Sequence, residues 1–439
     1  MYRHFQFSNK NYTQQNRIKM IAFPNLKFSI YHAIIAISAL CMVSCSANEN
    51  SEIKAYTEFQ FSVSNPLDIA RQNQLVEIPL PTIMNSLDDF NPEGFVILID
   101  DNELPSEITG ENNLVFILPE IGPNATRVIS ILYDAEEAME RDYPKLTQAE
   151  LSVKEGGYFE TKKYIGGEFV KVSSLRVPDE HTDHSFYIRY EGPGWESDKV
   201  GYRFYLDWRN GIDVFGKKVS EPILQKVGLD GFDSYHEMQD WGMDILKVGK
   251  SLGLGSIATL IDGAARRVDE TDSLYSEIQF DGSVYSAIKT NYYGWNLPDG
   301  KVDVESVISI HAGTRLSKNS LSFSRPIGNV ATGLIIDPKA EPIKSGSNLK
   351  YSYLATYGAQ SLAGDSLGIA IFFPTAQLIE STKDEFSHVV SFGPNVTSFE
   401  YYFAAAWEQE KDGIANREAF IAYLEQVIQE LSNPLNINF

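Results

Sequence analysis

The chain has 439 residues, with 37 Lys or Arg against 59 Asp or Glu and a formal net charge of −22 at pH 7. A field of that sign excludes nucleic acid as a partner, because phosphate binding needs a positive face, while a local Arg and Lys cluster still admits a small anion. The 43% hydrophobic content, with 23 Tyr and 25 Phe, suits β-sheets and sugar-binding surfaces better than a helical bundle.

Lys27 precedes an apolar run from Ile30 to Val43 that stops at Met42-Val43-Ser44-Cys45. Such a run is too short to span a bilayer of ~30 Å, which takes about 20 apolar residues in a helix. Residues 1–44 therefore read as a signal peptide with a lipobox-like end, Met20 being an alternative start. Residues 45–52 read as a polar tether on a lipidated Cys45, which places the protein in the periplasm or at the outer membrane, with a lipid anchor as its only membrane contact. One acyl chain holds a protein marginally, so more than one is expected. Ordinary secretion, with Cys45 incidental, is the competing reading; Met42 stands where Leu is usual. Cys41 and Cys45 are the two cysteines, so beyond the anchor disulfides and cysteine-ligated metals are excluded. Residues 1–44 hold five Lys or Arg and no Asp or Glu, so their removal would take the charge from −22 to −27.

From Glu58 to Ala135, short alternating segments such as Phe59–Val63, Leu75–Leu80, Phe95–Ile99 and Val128–Leu132 are separated by turn residues. That pattern predicts a small antiparallel sandwich over residues 53–137. Residues 138–152 are polar, contain Pro144 and lack alternation, so they read as a linker. Strand patterns at Phe186–Tyr190, Tyr202–Arg209, Val304–Ile310 and Gly368–Phe373 predict a second, larger, supersandwich-like antiparallel domain over residues 153–439. A C-terminal helix is predicted from Phe420, Leu424, Val427, Ile428 and Leu431, capped by Asn416 and stopped by Pro434. The fold class is thus mainly β, two antiparallel sandwiches with a C-terminal helix.

Gly249-Lys250-Ser251-Leu252-Gly253 fits a nucleophile elbow and Gly253–Ala258 a relaxed dinucleotide fingerprint, but the alternating strands and helices both need are missing. The densest chemistry lies in residues 181–255. As one strand, Tyr202–Arg209 puts Arg203, Tyr205, Asp207 and Arg209 on one face and Tyr202, Phe204, Leu206 and Trp208 on the other. The two arginines would then lie about 20 Å apart at ~3.3 Å rise per residue, unable to hold one sugar unless the strand bends. His181, His184, Tyr187, Arg189 and Glu191 precede it. Asp213, Lys217, His236, Trp241, Asp244 and Lys247 follow, and a helix over 235–248 would put His236, Asp240, Asp244 and Lys247 on one face.

The string Glu191-Gly192-Pro193-Gly194-Trp195-Glu196-Ser197-Asp198, with Tyr202-Arg203, Asp213 to Lys217, Tyr235-His236, Trp241–Asp244 and Lys247-Val248-Gly249, resembles a Bacteroidetes family. It has been described as a domain of unknown function and is found beside ulvan and pectin lyases; one branch is an ulvan oligosaccharide dehydratase. The resemblance implies removal of water across C4 and C5 of a non-reducing-end uronic acid in an anionic oligosaccharide. That elimination needs a neutralised carboxylate, a base for the C5 proton and an acid for the leaving hydroxyl. On this reading Arg203 clamps the carboxylate and Arg209 holds a more distant sulfate or carboxylate. His236 is the base, and Tyr202, Tyr205 or Lys217 the acid. Trp195, Trp208 and Trp241 would stack on sugar rings, and Asp244 and Lys247 join the substrate-binding set. No cofactor or metal is expected.

Three other readings remain open: a polysaccharide lyase of the same elimination type, a non-catalytic glycan-binding lipoprotein, and a metal-dependent hydrolase using Asp207, Asp213, His236 and Asp244. The last lacks compact ligand spacing.

Overall fold

The computed structural model describes residues 56–346 and 348–439; the expected signal peptide, Cys45 and the expected tether lie outside them. Strand pairing is antiparallel in all the described sheets. The alternating segments near the N-terminus form two sheets. One runs in the order Asn436–Asn438, Thr57–Ser64, Thr126–Tyr133, Phe95–Ile99, Asn102–Leu104, and the other is Arg71–Pro79, Asn113–Ile121, Ser106–Ile108. Their inward residues, including Phe61, Val63, Val76, Ile78, Phe116 and Ile131, make one apolar core, as strand alternation requires.

Two boundaries differ from the sequence reading. Thr147–Glu150, within the expected linker, is a buried strand, paired to Gly194–Ser197. Four residues are too few to show alternation. The chain end leaves the larger body, and Asn436–Asn438 pairs with Ser62–Ser64. Arg71 joins the same region, its Nη2 donating to the carbonyls of Glu430 (2.9 Å) and Asn433 (2.6 Å) at the end of the C-terminal helix. Residues 55–439 form one compact unit.

The larger body is built on a nine-stranded sheet that begins at Ser174–Arg176 and ends at Ala340–Lys344. Two five-stranded sheets face it across a shared core that includes Trp195, Tyr202, Val214, Leu334, Phe392, Ile369 and Phe403. The C-terminal helix, Arg417–Ser432, starts at Asn416, whose side chain accepts from the amide of Ala419 at 2.8 Å. It lays Phe420, Leu424, Val427 and Ile428 on Tyr353, Ala370, Phe372 and Ala404 of the nine-stranded sheet. Among the described residues, no helix is long and apolar enough to cross a membrane.

One five-stranded sheet carries the candidate chemistry. Its order is Gly242–Asp244, Ile212–Lys217, Val200–Phe204, Gly194–Ser197, Thr147–Glu150. Alternation sends Trp195, Tyr202, Phe204, Val214 and Met243 into the core. The opposite face therefore receives Glu150, Glu196, Arg203, Asp213, Lys217 and Asp244. That face is buried too, because Tyr190 and the segment 219–241 fold over it with Ile223, Leu224, Val227 and Tyr235.

Candidate functional site

Burying six charged side chains on one sheet face costs free energy unless each is paired. The fold pairs them in three groups. Glu150 accepts from Arg189 and from the hydroxyl of Tyr190. Lys217 donates to Glu196 at 2.6 Å and to the carbonyl of Ser197 at 2.7 Å. The other oxygen of Glu196 caps the amides of Ile223 and Leu224. Arg203, 2% exposed, contacts Asp213 at 2.7 Å and Asp244 at 2.5 Å, and it donates to the hydroxyls of Tyr205 and Tyr235 at 2.8 and 3.0 Å. Burial and the neighbouring Asp244 together carry the Asp213 carboxyl up to about 6, against Arg203 and Tyr205.

These pairings correct several expectations. Arg203 is saturated and out of reach of a substrate carboxylate. Lys217 is fully buried and committed to its ion pair with Glu196, away from solvent. Tyr202 is buried and gives its hydroxyl to the carbonyl of Arg315 at 2.5 Å. Tyr205 gives its hydroxyl to Asp213. Trp195 is 0% exposed, stacked on Tyr202 and bonded to Ser317, and is core. Trp241 packs partly buried on Phe215. Lys247 is exposed, and Trp208 is 43% exposed.

Local structure differs as well. The strand ends at Phe204, and Asp207–Asn210 turn, Asn210 taking φ 40°. Arg209 is thereby folded back: its guanidinium lies 3.8 Å from the Tyr205 ring centroid, while Arg203 lies 4.8 Å from the same ring. The bend thus brings to one ring two arginines that a straight strand holds about 20 Å apart. Phe186–Tyr190 is an irregular segment leading into a short 3-10 turn at Arg189–Glu191. Residues 235–248 are not helical; a 3-10 turn, Ser234–His236, leads to the strand Gly242–Asp244. Gly242, at φ 132°, breaks the helical spacing.

Where the covering segments meet solvent, two imidazoles stand at the rim. His184 and His236 have 52% and 41% of their side chains exposed. Their ring centroids lie 4.6 and 6.1 Å from that of Phe232, so the imidazoles are within 10.7 Å of each other. Nδ1 of His236 lies 2.7 Å from the carbonyl of Phe232. A carbonyl only accepts, so this nitrogen carries a proton. Its Nε2 lies 3.3 Å from Oδ2 of buried Asp244, and that contact, outweighing burial, raises the imidazole pKa.

His184 is set differently. Its Nδ1 lies 2.7 Å from Oδ1 of Asp183, a close approach without hydrogen-bond geometry. Nε2 has no partner among the described residues. Its amide donates to Glu191 at 2.9 Å. Arg209 binds Asp207, Glu191 and Asp183 at 2.5, 2.9 and 3.0 Å. Although burial opposes ionisation of Glu191, Arg209 and Arg203 hold its carboxyl down to about 2. Asp183, His184 and Glu191 are close enough together to ligate a cation, but Arg209 already supplies the positive charge there.

Backbone strain gathers here. His184, Phe186, Tyr190, Glu191 and Asn210 have φ between 38° and 72°, a region costing an L-residue on the order of 1–3 kcal/mol and concentrated at functional sites. Asp183, Phe232 and Arg267, which lies against Trp208, were not legible as site residues. The adjacent Asp183-His184 pair in a polar stretch was the available signal.

A cavity of ≈ 880 Å³ lies elsewhere, lined by Arg71, Tyr285, Glu305, Lys318, Tyr402 and Glu430 among others; neither rim imidazole lines it. Size points to that cavity, but acid and base groups in orienting contacts point to the rim, and proton transfer depends on the latter.

A family profile described as "Domain of unknown function (DUF4861)" matches residues 63–437. No curated protein matches the chain. Among solved structures, it is similar to a glycosyl hydrolase family 38 protein from Enterococcus faecalis at 7% identity and TM-score 0.42, over 86% of this chain and 47% of that one. An alpha-mannosidase from Enterococcus faecalis V583 gives 8% and 0.42, over 87% and 46%. The chain spans about half the length of these solved proteins.

Proposed function

The chain belongs to the DUF4861 family, and we propose that it is a carbohydrate-active enzyme removing water across C4 and C5 of a non-reducing-end uronic acid, as in ulvan-type oligosaccharides. The observation carrying this reading is the pair of exposed imidazoles that both pack on Phe232, one with Nε2 open and the other in contact with Asp244. Nε2 of His184 would take the C5 proton, with Asp183 beside the other nitrogen to offset the charge that forms on the ring. The His236 imidazolium, sustained by Asp244, would protonate the departing 4-hydroxyl. His236, expected from sequence as the base, is thus assigned as the acid. The substrate class rests on the motif resemblance.

Charge limits where the uronic carboxylate would sit. Five carboxylates (Asp183, Glu191, Asp207, Asp213 and Asp244) share two guanidinium groups, Arg203 and Arg209, with His184 and His236 at the margin. An anion is repelled from the depth of the cluster and held at its outer edge. There it would meet His236 and the exposed Lys163, whose Nζ lies 5.0 Å from the Phe186 ring centroid. We further propose export and lipid anchoring through Cys45.

The test gives purified protein oligosaccharides with saturated uronic ends and follows ultraviolet absorbance and mass. Absorbance rising with loss of one water supports the reading. Absorbance rising with chain shortening replaces it with a lyase that breaks the glycosidic bond. Binding without turnover moves the protein to the glycan-binding class.

A further inference from the structure

We propose that Trp208 and Arg267 form a subsite for a second, anionic sugar ring, which stacks on the indole while its sulfate or carboxylate is held by the guanidinium. The inference rests on the reading of the neighbouring rim as a saccharide site and names what that site takes beyond the reacting ring.

Trp208 sits on the Asp207–Asn210 turn, with Arg267 lying 5.3 Å from its ring centroid, and it remains 43% exposed. An exposed, anchored indole offers a large flat apolar surface with few torsions to fix. The anchoring is explicit. Asn210 is fully buried and donates from Nδ2 to the carbonyl of Val268 at 2.6 Å, while its Oδ1 accepts from Tyr292. One side chain thus ties the turn bearing Trp208 to the residue after Arg267, fixing indole and guanidinium in register.

Arg267 differs from Arg203 and Arg209, each engaged by at least two carboxylates. It reaches only the carbonyl of Ser251, at 3.3 Å, and forms no ion pair among the described residues. Burial lowers its pKa despite Asp269 and Asp207 nearby. A partly buried guanidinium without a carboxylate partner retains the fork that binds sulfate or carboxylate through two hydrogen bonds. Its contact with Trp208, whose neighbour Arg209 pairs with Asp183 and Glu191, places it beside the rim.

The experiment is calorimetric titration of the full chain with free uronic acid, an unsulfated uronate disaccharide and its O-sulfated counterpart, on wild type, Trp208→Ala, Arg267→Gln and Arg267→Lys. Tryptophan loss and Arg267→Gln should each weaken disaccharide binding about tenfold or more, at the scale of one good contact. Free uronic acid binding and thermal melting should not change. Arg267→Gln should abolish any preference for the sulfated sugar, and Arg267→Lys should keep part of it. Wild-type affinity in Trp208→Ala and Arg267→Gln, or no disaccharide binding by wild type, overturns the subsite. Binding that follows these variants without water loss in mass spectra leaves the subsite standing and removes the dehydration reading.

Discussion

Nε2 of His236 lies 3.3 Å from Oδ2 of Asp244, the oxygen that also takes Nη2 of Arg203 at 2.5 Å. A permanent cation and a titratable one thus share an acceptor. The folded pKa of His236 is raised above its ordinary 6.5, so the stabilisation is complete below that value and is lost as pH rises through the folded pKa. Urea midpoints of wild type and His236→Gln should therefore differ at pH 5 and converge at alkaline pH. The alkaline limb of kcat/KM should follow the same ionisation; a gap that widens with pH would contradict the contact.

Asp213 gives a second pH signature. Its carboxyl rises from 3.8 to about 6, so its contribution is present below 3.8 and lost as pH climbs through about 6. Asp213→Asn should flatten the stability profile in that window, measured by denaturant unfolding.

His184→Ala and Asp183→Asn should depress kcat with little effect on melting temperature, since both side chains lie at the rim. General acid–base catalysis contributes roughly 10²–10⁴-fold, and His184→Ala should approach that loss. Asp183→Asn should lose less, because it acts through the ring. Equal turnover in wild type and His184→Ala would dismiss the assigned base.

Lys217→Met separates structure from chemistry. Removing one partner of a fully buried ion pair costs about 3–5 kcal/mol, and Glu196 would be left charged without Lys217. Adding Glu196→Gln should recover part of that loss, as read from chemical denaturation. Turnover per folded molecule should stay at the wild-type level.

Asn416→Ala should cost about 1 kcal/mol through loss of the cap on Ala419. A lowered melting temperature with unchanged sugar binding would place the helix in the scaffold.

Periodicity by itself determined the all-antiparallel character, the strands at Phe59–Val63 and Gly368–Phe373, and the C-terminal helix with its cap. Those features are local: alternation follows from the pleat, and the helix start follows from one side chain bonding an amide three residues on. Residue type also marked the 181–255 segment as chemically dense. What sequence could not decide was which dense residues meet solvent. Alternation put Arg203 on a polar face, but only Tyr190 and the segment 219–241 folding over that face made it buried and paired. Spacing along a strand separated Arg209 from Arg203, and only the turn at Asp207–Asn210 brought both to Tyr205. His184 and His236, 52 positions apart, became neighbours through Phe232, because long-range packing, unlike periodicity, leaves no local trace in the chain.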